Sequence, residues 1–232
     1  MKKAIFGACT ALAAMVAAGS AQAATIVLDF EGVGDQVGVN EFYNGGTDGA
    51  GNSGTNYGIS FSTTSLGLTD ADVGGSGNIA NEPSGESVLF FLSGGAATMN
   101  VAAGFDTGFS FFYSGAFDGS VSVFDGLNGT GNLLATLNLP AQNGVGCTGD
   151  PNGGYCNWTN IGVAFSGIAQ SVNFGGSANY IVFDDVTLGS VIAGGGGGAV
   201  PEPATWAMML LGFGAIGFSM RRRKQIAALQ TA

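Results

Sequence analysis

Between Ala24 and Ala199 the chain carries 15 of its 16 carboxylates and not one lysine, arginine or histidine. Acid–base chemistry in this stretch therefore rests on Asp, Glu, Tyr or Cys, because no imidazole or amine is present to activate a serine or a thiol. Two acidic clusters bracket the stretch, Asp29-Phe30-Glu31-Gly32 and Phe183-Asp184-Asp185-Val186. Such carboxylates are hard oxygen donors, which suits divalent cations; neutral sugars are the other ligand class this composition leaves open. A further pair, Glu82 and Glu86, sits in the loop sequence Glu82-Pro83-Ser84-Gly85-Glu86. Asp125 and Asn128 form another oxygen-rich stretch, for which turn formation is the sufficient explanation.

The missing cations also exclude partners. Nucleic acids, phosphorylated ligands and anionic lipid headgroups are bound chiefly by Lys and Arg, and this domain has neither. Cys147 and Cys156 form an even pair within a turn-rich loop, which in an oxidising compartment predicts a disulfide. Two thiols without histidine are a poor zinc site. Trp158, Tyr155, Tyr43 and Tyr57 lie in or beside loops, where aromatic rings can face a sugar or simply pack; Trp158 and Tyr155 are the candidate glycan contacts.

The elements that must position these groups are strands. Apolar residues alternate or cluster in short bursts between Gly, Asn, Asp and Ser, with no sustained helical period. Eleven segments fit: 25–30, 37–42, 57–62, 87–92, 97–101, 108–114, 120–124, 133–139, 161–165, 171–174 and 180–188. The pattern predicts an all-β, antiparallel, two-sheet jelly-roll-like sandwich over residues 24–193, with a hairpin joining 120–124 to 133–139. Phe90, Phe91, Phe109, Phe111, Phe112 and Phe117 are the expected core fillers. Two Gly/Asn/Ser/Thr-rich loops, 44–58 and 69–85, are the expected frame of any binding surface.

All six basic residues lie at the two ends of the chain. Lys2-Lys3, an apolar run to Ala18 and Ala21-Gln22-Ala23 read as a signal peptide over 1–23, cleaved before Ala24. Cys9 lies inside that apolar run, not at its end where a lipoprotein cysteine would stand. At the other end, a Gly-rich linker (194–199) leads to Val200-Pro201-Glu202-Pro203, an apolar stretch over 204–220, and Arg221-Arg222-Arg223-Lys224. At 1.5 Å per residue the apolar stretch would reach about 25 Å, sufficient for one transmembrane helix in a slightly thinned bilayer. The basic stop places the last residues, 225–232, in the cytoplasm and the Pro-Glu-Pro on the far side.

Val200-Pro201-Glu202-Pro203, the apolar residues after it and the basic cluster resemble the PEP-CTERM sorting signal of Gram-negative bacteria, over residues 200–224. That resemblance implies recognition by exosortase, a membrane-embedded cysteine protease, after transient residence in the inner membrane. It implies delivery to the cell surface or the extracellular matrix, in association with exopolysaccharide. Tails of this kind also carry an ice-binding protein C-terminal domain label, which gives no reason to infer ice binding.

The two acidic clusters resemble the opening and closing strands of carbohydrate-binding-module and galactose-binding-like sandwiches, in which a Phe-Glu-Gly start and an Asp-Asp-Val finish help to hold a structural Ca²⁺. Carried over by position, the resemblance implies Glu31 and Asp185 as ligands, followed by Asp29 and Asp184. Glu82 and Glu86 do not reproduce the Glu-x-Asp-x-x-Glu signature of jelly-roll glycosidases. The leading expectation is a noncatalytic exported surface or matrix protein; the alternatives are a calcium-bearing carbohydrate-binding module and, third, a carboxylate-dependent glycosidase.

Overall fold

The structure, a computed structural model, describes residues 25–94, 96–142, 147, 153–195 and 212–213. Eleven strands, all within the compact unit Ala23–Ala199, build two antiparallel sheets. One sheet runs β3 (Leu66–Thr69), β4 (Ser87–Phe90), β11 (Ile181–Leu188), β6 (Phe109–Gly115), β9 (Thr159–Val163), with β1 (Ile26–Leu28) also paired to β11. The other runs β2 (Ile59–Phe61), β5 (Ala96–Phe105), β10 (Ala169–Gly175), β7 (Gly119–Phe124), β8 (Leu133–Leu139). The expected hairpin is β7–β8, with Val121 opposite Leu137 and Val123 opposite Ala135.

The core lies between the sheets, where alternate residues of each strand meet. Phe109, Phe111, Phe174 and Phe183 form its centre as edge-on or tilted rings with centroids 5.0 to 6.0 Å apart. Burying side chains of this size contributes about 1.5–3 kcal/mol each, and the edge-on geometry adds to it. A second, smaller cluster covers the opposite face of the first sheet: Leu68, Ile79, Val88, Phe90 and Val182, with Tyr155 and Trp158 packed against it. β11 is thus covered on both faces, and all eight of its residues are buried.

The sequence pattern misplaced several details. Residues 37–42 form turns instead of a strand, with one isolated bridge from Gly38 to Leu66. Gln36 and Asn40 hold left-handed backbone there, at φ 54° and 46°, which a continuous strand cannot accommodate. The edge position belongs to β3, hidden from pattern reading by Gly67. A Cβ at Gly67 would lie 2.6 Å from Val33 Cγ1 and 2.8 Å from the Gly34 carbonyl, so glycine lets the 33–34 turn close over the sheet. β9 begins at Thr159, two residues before the predicted start. Phe117 is exposed and meets Tyr180 edge-on at 5.0 Å, outside the core.

Candidate functional site

β1 and β11 pair with Ile26 opposite Leu188 and Leu28 opposite Val186, which brings the chain's two acidic clusters to one end of the sandwich. β11 carries a β-bulge there. Its register with β6 passes from Asp184 opposite Phe112 to Thr187 opposite Ser110, one residue more on β11 than on its partner. Asp185 takes up the extra residue at φ 48°. The bulge restores phase, so that Ile181, Phe183, Val186 and Leu188 all reach the inter-sheet core around two consecutive acids.

Asp184 is fully buried on the outer side of this bulge. Its oxygens accept hydrogen bonds from the Ser84 amide at 3.0 Å, the Ser84 hydroxyl at 3.1 Å and the Asp185 amide at 2.6 Å. Burial, reinforced by the charge of Asp185, pushes its carboxyl up to about 8. Burial also raises Asp185; the Ser84 hydroxyl works against this and the charge of Asp29 adds to it. Glu31 Oε1 accepts from the amides of Glu86 and Ser87, both at 2.8 Å. The 82–87 loop is therefore fastened at Ser84 by Asp184 and at its end by Glu31. Gly85 is required between them, because its backbone is left-handed at φ 48° and a Cβ would run into the Glu31 carboxyl.

Beside Asp29 and Glu31 opens a cavity of about 260 Å³, bounded by Val27, Phe42, Tyr43 and the 53–57 segment. Tyr43 is buried in its wall: the hydroxyl accepts from the Phe30 amide at 2.8 Å and donates to Asp29 Oδ1 at 3.5 Å. Burial, and then the charge of Asp29, holds this phenol far above its ordinary range. Tyr57 stacks on it, with centroids 6.2 Å apart and planes 26° apart, and remains 40% exposed. The loop that carries Tyr57 is organised by Asp48, which accepts from the amides of Gly34, Ala50 and Asn52 and from the Asn52 side chain at 2.8 to 2.9 Å. Burial opposes ionisation of Asp48, but these donors outweigh it and lower its carboxyl below the usual range.

A different acidic group has the spacing for a shared ion. Among the described residues, Asp70, Glu82 and Glu86 bring carboxylate oxygens within 4.8 Å of one another. The clusters around Asp29, Glu31, Asp184 and Asp185 form no such set of three. Asp70 also accepts from the Asp72 amide at 3.3 Å, capping the short turn Ala71–Val73. Asp70 lies some dozen residues from Glu82 in sequence, so only the β3–β4 pairing reveals their meeting.

Cys147 and Cys156 are joined by a disulfide, with Cα atoms 5.6 Å apart. Beyond it, Trp158 Nε1 donates to the Ala80 carbonyl at 3.0 Å, and the amides of Ala80 and Tyr155 bond across the same loop pair. Both aromatic rings lie half-buried against the second cluster. The expected glycan-contact rings thus sit on the outer face of the first sheet, while the cavity's exposed ring is Tyr57.

The described residues thus form an all-β two-sheet sandwich, and the sequence continues past it into a C-terminal tail. Residues 199–224 match the PEP-CTERM protein-sorting motif. The predicted transmembrane segment 204–220 falls outside the described residues except for 212–213, which are helical; among the described residues no helix is long and apolar enough to cross a membrane. No curated protein matches the chain. Among solved structures, the K2 cleaved adhesin domain of Lys-gingipain is similar at 12% identity and TM-score 0.44, over 71% of this chain and 99% of that one. A family 6 carbohydrate-binding module is similar at 20% identity and TM-score 0.34, over 58% and 86%. A glycoside hydrolase family 43 arabinoxylan arabinofuranohydrolase from Bacillus subtilis is similar at 20% identity and TM-score 0.35, over 54% of this chain; the match spans 24% of the hydrolase.

Proposed function

We propose that this is a noncatalytic cell-surface or extracellular-matrix protein of a Gram-negative bacterium, exported through its signal peptide and sorted by exosortase at its C-terminal tail. The observation that carries the reading is the sorting motif over residues 199–224 placed directly after a folded domain. Its apolar segment and Arg221–Lys224 hold the precursor transiently in the inner membrane, and processing near Val200-Pro201-Glu202-Pro203 separates the sandwich from the basic stop. What remains is a β domain whose side chains carry negative charge and no positive charge. Such a domain does not adhere to anionic lipid or nucleic acid, and exopolysaccharide is the partner that its carboxylates, hydroxyls and exposed aromatic rings suit.

A second reading, a carbohydrate-binding module with a structural calcium ion, is favoured by the cavity beside Asp29 and Tyr57. Calcium would draw on the oxygen donors at this end of the sandwich: Glu31, Asp185, Asp29 and Asp184 by position, or Asp70, Glu82 and Glu86 by spacing. The main reading is tested by peptide mass spectrometry of the extracellular fraction. Peptides should end near the Pro-Glu-Pro in the wild type, and Pro201→Ala/Pro203→Ala should leave the protein in the membrane. Extracellular protein that retains Arg221–Lys224 refutes processing, and its absence from the exopolysaccharide fraction refutes the matrix association.

A further inference from the structure

We propose that the cavity lined by Asp29, Glu31, Tyr43 and Tyr57 binds an amine-bearing sugar, the cationic hexosamine unit of a deacetylated polysaccharide. This deepens the exopolysaccharide reading above and rests on it. The argument begins with the cavity's size and shape. A volume of about 260 Å³, partly open to solvent, takes a single pyranose ring with a substituent. The exposed Tyr57 ring, held against buried Tyr43, provides a rigid flat face for the C–H face of a sugar. Ser53 and Thr55 on the same wall supply hydroxyls for those of the ring.

The charge at the rim selects the substituent. Asp29 uses Oδ1 for the Glu31 amide and Tyr43 hydroxyl, and Glu31 uses Oε1 for the Glu86 and Ser87 amides. Among the described residues, Asp29 Oδ2 and Glu31 Oε2 accept no hydrogen bond, so each carboxylate retains an oxygen for a ligand. No side chain of the domain supplies a compensating cation. An ammonium group fits this demand: it presents several donors, can bridge two carboxylates, and is attracted by the tyrosine face. A metal ion fits less well, since these two acids have no third acidic oxygen within 4.8 Å. A peptide lysine would use the carboxylates but leave the flat wall and its hydroxyls without partners.

The test is calorimetric titration of the full chain at about pH 6, where the sugar amine is protonated. The probes are a glucosamine pentasaccharide and its fully N-acetylated counterpart. The glucosamine oligomer should bind at least about tenfold more tightly, as expected for loss of one charge-assisted contact. Asp29→Asn/Glu31→Gln should abolish that preference, and Tyr57→Ala should weaken both sugars. Asp118→Asn/Asp125→Asn, which removes two charges on the β7–β8 side, away from the cavity, should change neither. Equal affinity for the two sugars overturns the amine site while leaving the polysaccharide reading intact. No binding to either, in protein that is retained by exopolysaccharide, overturns the site as well. Equal weakening by the two double variants overturns it in favour of diffuse charge attraction. The wild-type sugar comparison decides the matter even if a variant fails to fold.

Discussion

Asp184 should make this domain lose stability as pH rises, the reverse of the usual carboxylate contribution. Burial and the neighbouring charge of Asp185 push its carboxyl up to about 8, from an ordinary 3.8 in the unfolded chain. Between those values the folded state holds a proton that the unfolded state has released, so stability falls with increasing pH. At about 1.4 kcal/mol per pH unit across this window, the loss is on the order of 5 kcal/mol. About 4 kcal/mol of this falls above pH 5, and for a domain of this size 1 kcal/mol corresponds to about 2–4 °C in Tm, so the wild type should melt about 8–16 °C lower at pH 9 than at pH 5. Asp184→Asn keeps one acceptor for the amides of Ser84 and Asp185 and leaves the other unpaired, at a cost of about 1–3 kcal/mol. The variant should therefore be the less stable protein at pH 4 and the more stable one at pH 9. Asp185 is also raised, adding a residual slope of the same sign. Thermal melts from pH 4 to 9 in chelator measure both curves. A wild-type Tm that does not fall between pH 4 and 8, or a variant with the wild-type slope, refutes the reasoning.

Three further outcomes are expected. Phe111→Ala, which empties the centre of the aromatic core, should cost about 3–5 kcal/mol by denaturant unfolding. Cys147→Ser/Cys156→Ser should cost about 2–3 kcal/mol, with a change in Trp158 fluorescence, because the bridge closes a short loop adjoining the second cluster. Calcium titration separates the two acidic groups: if the ion takes the closely spaced set, Glu82→Gln/Glu86→Gln abolishes binding and Glu31→Gln/Asp185→Asn does not. The opposite pattern assigns it to the four carboxylates named from the sequence.

The sandwich was legible because burial on one face imposes a period of two, and ten of the eleven strands overlap segments where that period shows. The eleventh, β3, was not, since Gly67 carries no side chain to register; residues 37–42 imitated a strand until their left-handed positions were seen. The sorting tail was legible as well, because its information is linear: a Pro-Glu-Pro, an apolar run and a basic stop need no partner elsewhere in the chain. The absence of cations from residues 24–199 likewise follows from composition and already removes whole classes of partner.

What the sequence could not place is the environment of each acid. Strict alternation from Phe183 would point Asp185 into the core, and the bulge that prevents this exists because β6 and β1 fix the register on either side of it. Asp184 and Asp185 are neighbours of the same type, yet one is fully buried under Ser84, one hundred residues earlier, and the other occupies the bulge with a little exposure left. Asp70 meets Glu82 and Glu86, and Tyr57 meets Tyr43, through strand pairing and loop closure alone. Sequence by itself determined the charge, the fold class and the route signalled by the tail, all of which depend on residue type and local order. Tertiary structure decided which carboxylate is desolvated, which is fastened to a loop and which faces an open cavity, because desolvation and hydrogen bonding are set by what the fold brings alongside.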